Sequence, residues 1–219
     1  MMKKPKICAV ITNNDIACIH EIKQLVDFFE VRIDMLGTRW EEVIPQLNKR
    51  WIACNRSLRE GGQWEGDEAQ RIAELLKASA MGAAIVDIEL STEGLHEAVR
   101  QIREKSRCLI SFHAWKKTLP LERLEGIVRQ QLHYGADICK VVTTARTFED
   151  NTTMLNLIRK FPTVKVVAFA MGTLGITSRV LSPLAGGFLT YASVQNGHAS
   201  APGQLTVEEL HNIYRTLTR

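Results

Sequence analysis

Metal-binding motifs are missing from this chain. It has no H-x-H, no H-E-x-x-H and no cluster of cysteine with histidine, so no metal is expected. The cysteines Cys8, Cys18, Cys54, Cys108 and Cys139 contain no C-x-x-C pair. They are odd in number and scattered, and four of them sit in apolar runs. That argues for reduced, buried thiols in a cytoplasmic protein. Long hydrophobic runs are also missing. After the basic start Met1-Met2-Lys3-Lys4-Pro5-Lys6, the apolar run extends only from Ile7 to Ile11 before Asn13, Asn14 and Asp15 interrupt it. This is too short for the core of a signal peptide and far too short to span a membrane. The net charge is only +4, with no dense Lys/Arg block and no interleaving of basic and aromatic residues. Nucleic acid and membrane partners are therefore not expected, while a small anionic substrate suits a mildly basic protein. No linker, low-complexity tract or close internal repeat divides the chain, so a single domain over 1–219 is expected.

What is present is a regular alternation of strand-like and helix-like segments. Strands are predicted over Lys6–Thr12, Phe28–Asp34, Trp51–Ser57, Ala83–Leu90, Arg107–His113, Ala136–Val142, Val164–Ala170 and Phe188–Ala192. Helices follow over Ile16–Asp27, Trp40–Lys49, Gly66–Met81, Thr92–Lys105, Leu121–Tyr134, Phe148–Lys160, Thr177–Leu184 and Thr206–Leu217, with Thr92 a candidate cap. Eight β-α units predict an α/β fold, the (β/α)8 TIM barrel. The rival open, doubly wound sheet would call for G-x-G-x-x-G after the first strand, and that motif is absent.

In such barrels the chemistry lies at the C-terminal strand ends, and residues two apart share a face. Glu30, Arg32 and Asp34 then point one way. Cys54-Asn55-Arg56 ends the third strand, with Glu60 in its loop. Asp87 and Glu89 share a face of the fourth strand, Ser111-Phe112-His113 ends the fifth, and Lys140 lies within the sixth. A lysine inside an apolar run is costly to desolvate. It is either a snorkelling or ion-paired structural residue, or an amine kept partly neutral to attack a carbonyl. The recurrence of charge at one end of five consecutive strands favours a polar site. His113, on the strand next to Lys140, makes a base-plus-amine pair reasonable. His20, His96, His133 and His211 fall on helices, and His198 lies in a loop. Arg179 opens the short helix after the seventh strand and could fork onto a carboxylate. The dozen residues from Ser193 to Gln204, rich in small residues, suit a loop that folds over a site.

Taken together these residues resemble the type I 3-dehydroquinate dehydratase family nearly from end to end. The markers are Glu30-Val31-Arg32-Ile33-Asp34, Arg56 with Glu60-Gly61-Gly62, Asp87-Ile88-Glu89-Leu90, Ser111-Phe112-His113, Ala136-Asp137-Ile138-Cys139-Lys140, Met171-Gly172 with Ser178-Arg179, and Ala199-Ser200-Ala201-Pro202-Gly203-Gln204. The resemblance implies a hydro-lyase that dehydrates 3-dehydroquinate to 3-dehydroshikimate in the shikimate pathway of aromatic amino acid biosynthesis. By that resemblance Lys140 is the imine-forming lysine, His113 the acid/base and Glu60 the carboxylate that orients it. Glu30, Arg32 and Arg56 surround the substrate hydroxyls and the lysine, Arg179 grips the substrate carboxylate, and Ser200 and Gln204 close over it. No cofactor is implied, neither metal nor nucleotide, and a homodimer is the usual assembly. His113-Ala114-Trp115 departs from the family's His-Asp-Phe, and Lys116 stands where a second histidine is common. The chemistry leads one to expect His113 to titrate near neutrality and the Lys140 amine to be shifted down by burial and by Arg32 or Arg56. Two rival readings are another class I aldolase-type Schiff-base barrel, which would want a phosphate cradle after the last strands, and a barrel that binds a pathway metabolite without turnover.

Overall fold

Alternating buried strands and amphipathic helices close this chain around one axis. The computed structural model describes residues 4–47, 49–197 and 199–218. In chain order the elements begin β1 (Ile7–Ile11), α1 (Ile16–Ile22), β2 (Phe28–Arg32), α2 (Ile33–Leu36), α3 (Trp40–Val43), β3 (Arg50–Cys54), α4 (Glu68–Ala80), β4 (Ile85–Glu89) and α5 (Leu95–Ile102). They continue β5 (Arg107–Ala114), α6 (Leu121–His133), β6 (Ile138–Thr144), α7 (Glu149–Lys160), β7 (Val166–Met171), α8 (Ile176–Leu181), β8 (Thr190–Ser193) and α9 (Val207–Leu217). The strands form one parallel sheet in the order β7-β6-β5-β4-β3-β2-β1-β8. This is the (β/α)8 barrel that the alternation predicts. The seam between β7 and β8 carries no ladder among the described residues. One backbone hydrogen bond crosses it, from Phe188 N to Val166 O at 2.8 Å.

Parallel strands with helices outside are buried on both faces, which is why they read as unbroken apolar runs. Cys8, Phe28, Ile52, Ile85, Leu109, Ile138, Val167 and Tyr191 fill the barrel interior. The alternate residues, such as Ala9, Phe29, Val86 and Ile110, pack outward against the helices. Helix starts are fixed by local chemistry. Asp67 accepts from Gln70 N at 2.7 Å ahead of α4, and Thr206 with Glu209 completes a capping box on α9.

Several boundaries differ from expectation. The helix predicted over Trp40–Lys49 ends at Val43 and tightens into a 3-10 turn over Ile44–Gln46, where Pro45 removes a donor. The first helix stops at Ile22. The sixth strand runs two residues later than predicted. Thr92 does not cap α5. That helix starts after Gly94, in the left-handed region at φ 69°, and the Thr92 hydroxyl instead accepts from Arg71 Nη2 at 2.9 Å. Asp34 is not on β2 either, because Ile33 opens α2.

Candidate active site

Inward-facing positions at the C-terminal strand ends converge on one cavity of about 60 Å³. Glu30, Arg32, Arg56, Glu60, His113, Lys140, Arg179, Ser200 and Gln204 all line it. His198, singled out in the sequence, lies outside the described residues.

Lys140 leaves the middle of β6 and is 5% exposed. Its ammonium donates to Asp87 Oδ2 at 2.8 Å and to Glu30 Oε1 at 3.3 Å, and lies 4.2 Å from the centre of the Tyr191 ring. Burial pushes this amine down, but Asp87 and then Glu30 outweigh it, and its pKa lies above the ordinary lysine value. The sequence-based expectation of a depressed amine is therefore reversed in the resting site. The family resemblance placed Glu30, Arg32 and Arg56 around the lysine; it gave Asp87, the nearer of its two carboxylates, no place beside the amine.

Asp87 connects the pieces. Arg56 Nη2 pairs with its Oδ2 at 2.7 Å, and the Ser111 hydroxyl donates to its Oδ1 at 2.6 Å. Arg56 Nη1 donates to the Ser111 hydroxyl and lies 3.4 Å from Glu89 Oε1. Glu89 is held in turn by Arg71 Nη1 and by Ser57 N. Arg71, from α4, is 1% exposed and also donates to Asn55 O and to Glu68. The row Lys140, Asp87, Arg56, Glu89, Arg71 alternates in sign, so each buried charge has an opposite neighbour. Asp87, Glu89, Ser111 and Tyr191 were given no role from the sequence. Strand parity was the available signal for Asp87, since it faces inward one level from Lys140.

The Glu60–Gly61 turn carries the other half of the site. Glu60 Oε2 accepts from His113 Nδ1 at 2.8 Å, and Ser91 donates to Glu60 Oε1 at 2.7 Å. With Nδ1 bearing the hydrogen, His113 Nε2 keeps its lone pair. Burial, followed by Arg56 and Lys140, pushes the imidazole well below its ordinary value, not to neutrality as expected. Burial likewise raises Glu60. The Trp115 ring stacks beside His113, with centroids 6.4 Å apart and planes at 26°. Gly61 (φ 76°) lies so close beneath that ring that a Cβ there would meet it at 1.9 Å. The Trp at this position and the glycine beside Glu60 thus fit each other.

Arg32 is spoken for. It forks onto Asp34 at 2.9 and 2.7 Å, and Asp34 also accepts from Gln63 N, fixing the loop after β3. Arg179 is different. It is 1% exposed and meets no carboxylate within ion-pair distance among the described residues. Its guanidinium lies 4.3 Å over Phe169, Nη1 reaches Tyr191 O at 3.5 Å, and Nε and Nη2 have no partner among the described residues. Burial alone lowers it to about 10. An arginine in this state fits a planar anion that brings its own lone pairs. Over the mouth, Ser200 N and Oγ both donate to Gln204 Oε1 at 2.7 and 3.1 Å. This segment is seated on the loop after β7 by Gly172 N donating to Pro202 O, and Gly203 (φ 72°) approaches Gly172 O too closely for a side chain.

Glu30, Cys54 and Asp87 bring potential ligand atoms within 4.8 Å of one another. The donor set does not suit a metal. Lys140 and Arg56 already neutralise the carboxylates, and burial pushes the Cys54 thiol well above its ordinary value, whereas a metal requires the thiolate.

Comparison with known proteins gives the site its context. A family model described as type I 3-dehydroquinase matches residues 7–219. A 3-dehydroquinate dehydratase of Dehalococcoides mccartyi is 44% identical over 216 residues, covering 99% of this chain and 97% of that one. The crystal structure of 3-dehydroquinate dehydratase from Geobacillus kaustophilus superposes with TM-score 0.83 at 27% identity, covering 99% and 93% of the two chains. The type I 3-dehydroquinate dehydratase of Clostridium difficile shares the fold, with TM-score 0.86 at 24% identity and coverage of 98% and 92%.

Proposed function

The chain belongs to the type I 3-dehydroquinase family and is a 3-dehydroquinate dehydratase of the shikimate pathway, and from that premise we propose that it works through a Schiff base on Lys140. The observation that carries the proposal is a buried amine at an inward position of β6, with a neutral imidazole oriented by Glu60 on the neighbouring strand.

Arg179 takes the substrate carboxylate, completing the hydrogen bonds of Nε and Nη2. Glu30, Arg32 and Arg56 meet the hydroxyls and the ketone, and Ser200 and Gln204 hold the closed segment over the substrate. Lys140 first gives up a proton to solvent. Its neutral amine attacks the C3 carbonyl carbon, the oxygen takes one proton from the attacking nitrogen and one back from solvent and leaves as water, and an iminium remains. The iminium is an electron sink that acidifies C2. His113 Nε2 removes the C2 proton, and the released pair forms the enamine. The enamine pair then forms the C1–C2 double bond as the C1–O bond breaks, and the imidazolium returns its proton to the departing hydroxyl as water. A water molecule hydrolyses the conjugated iminium, freeing Lys140 and the enone. The water lost in imine formation is recovered in its hydrolysis, so the net loss is one water. Asp87 and Glu30 stabilise the positive nitrogen throughout, first as ammonium and then as iminium.

This carbon chemistry calls for no metal and no nucleotide. The five cysteines are free thiols, which supports a cytoplasmic setting. No helix among the described residues is long and apolar enough to cross a membrane. A homodimer rests on the family's habit, and light scattering on the eluted protein decides it.

The test is a borohydride trap. Protein incubated with 3-dehydroquinate, reduced with sodium borohydride and digested should carry the substrate-derived mass on Lys140. Enone formation, followed by its ultraviolet absorbance, without any adduct would remove the lysine from the mechanism.

A further inference from the structure

The reaction occupies the C-terminal ends of the strands, and the opposite end of the barrel has its own pattern. Alternate strands of an eight-stranded barrel supply the four side chains of each interior layer. Cys8, Ile52, Leu109 and Val167 face the interior of β1, β3, β5 and β7. Residues two apart share a face, so the next interior-phase positions toward the N-terminal mouth are Lys6, Arg50, Arg107 and Lys165. All four are cations. Lys6 and Lys165 lie one residue before their strands, yet their carbonyls still accept from Thr190 N and Cys139 N, so the strand phase carries through them.

These four line one recess of about 510 Å³. Its floor is aromatic: Phe28 and Phe188 lie 5.9 Å apart, and Lys6 and Lys165 hold their ammoniums 4.9 and 5.8 Å from the centre of the Phe188 ring. None of the four cations has a carboxylate within ion-pair distance among the described residues. Glu104 is the one acidic residue lining the recess, while Arg103 and Lys105 add positive charge. The nearby carboxylates of Asp27 and Asp137 are turned to strand backbone, accepting from Ile7 N at 3.0 Å and Cys108 N at 2.9 Å. Asp137 also meets Arg103 at 3.5 Å.

We propose that the N-terminal mouth of this barrel binds a compact multivalent anion, an oligophosphate, held by Lys6, Arg50, Arg107 and Lys165 over the Phe188 ring. Like charges that converge with no carboxylate paired to any of them repel one another, and a polyanion relieves all four at once. Neighbouring strands are about 4.8 Å apart, so alternate strands set these cations roughly 10 Å apart at their roots. A chain of phosphate groups reaches several of them, whereas a single phosphate does not. Arginine forks and lysine point charges both suit phosphate oxygens.

Titration calorimetry with inorganic tripolyphosphate tests this on the whole chain. The comparison is between the unchanged protein, the double variant Arg107→Gln/Lys165→Gln, and Arg179→Gln. One equivalent should bind, more weakly as salt is raised. The double variant should lose at least about tenfold in affinity and keep its kcat and KM for 3-dehydroquinate, since neither residue touches the catalytic cavity, and normal turnover also certifies its fold. Arg179→Gln should bind tripolyphosphate as before. Binding that survives in the double variant but is lost in Arg179→Gln would overturn the proposal by putting the anion in the catalytic cavity. Tripolyphosphate binding no tighter than monophosphate would overturn it by leaving only solvated cations. ATP separates the sources: equal affinity for ATP and tripolyphosphate assigns the site to the phosphate chain, and tighter ATP adds a nucleoside on Phe188. Either result upholds the site.

Discussion

The two mouths of this barrel use the same inward positions in opposite ways. At the C-terminal end, Glu30, Arg56, Asp87, Glu89 and Lys140 are all buried, mixed in sign and engaged with one another. At the N-terminal end, Lys6, Arg50, Arg107 and Lys165 are exposed and of one sign. The difference follows from desolvation. A charge taken out of water must find a partner or neutralise, while a charge left in water can stand alone. One residue at the C-terminal mouth breaks this rule. Arg179 is as buried as Asp87 and meets no carboxylate among the described residues. Within the paired end it is the group whose partner has to come from outside.

The largest effect should come from removing the amine. Lys140→Ala is expected to lower kcat by about 10⁵-fold and abolish the borohydride adduct. His113→Ala should lower kcat by about 10²–10⁴-fold yet still trap an adduct on Lys140, because imine formation precedes the step the base serves. Mass spectrometry after reduction distinguishes them, and an adduct pattern shared by both variants would sink the division of labour. Arg179→Gln comes next and sharpens the contrast between paired and unpaired charge. KM for 3-dehydroquinate should rise about 100-fold, the loss of charge-assisted hydrogen bonds to one carboxylate. The melting temperature without substrate should not fall, because the substitution removes a buried charge with no counter-ion among the described residues. A marked loss of stability with unchanged KM would make Arg179 a structural residue.

Much of this was legible beforehand because the barrel repeats one rule. Unbroken apolar runs alternating with helical spacing in eight β-α units specify the fold, and charges at consecutive strand ends point to the candidate site. Lys140 stood out as a cation in an apolar run. What was not legible depends on partners distant in sequence. The direction of the Lys140 shift requires knowing that Asp87 and Glu30 reach its nitrogen, 53 and 110 residues away. Thr92 looked like a cap because it precedes a helical pattern, but Arg71 claims its hydroxyl and Gly94 makes the turn. The depression of His113 comes from burial and from Arg56 and Lys140, none of which strand periodicity registers.

A smaller effect, on stability, tests the charge row behind the site. Arg71→Met leaves Glu89 buried with one of its two cationic partners gone, and should destabilise the protein by about 3 kcal/mol. The double variant Arg71→Met/Glu89→Gln should recover part of that loss, since the stranded charge is then removed as well. Urea unfolding of the unchanged protein, of Arg71→Met, of Glu89→Gln and of the double variant measures it. Additive losses would mean that Arg71 acts through packing alone and that the alternating row is no unit.

The smallest expected effect concerns the Trp115 ring, and it reads the same principle through pH. In the proposed mechanism His113 serves as a base in the free enzyme, so kcat/KM is expected to fall as pH drops through its folded pKa. Burial, the largest cause, followed by Arg56 and Lys140, holds that pKa below the ordinary 6.5. The acid limb of the profile should therefore lie below 6.5. Trp115→Ala removes the ring stacked beside the imidazole and admits water, so the burial contribution weakens while Arg56 and Lys140 stay in place. The limb should move upward, with the plateau at higher pH little changed. A pH–rate series on the two proteins decides it. An unmoved limb would mean that the two cations, and not enclosure, keep His113 neutral, and the paired mouth would then tune its base by charge alone.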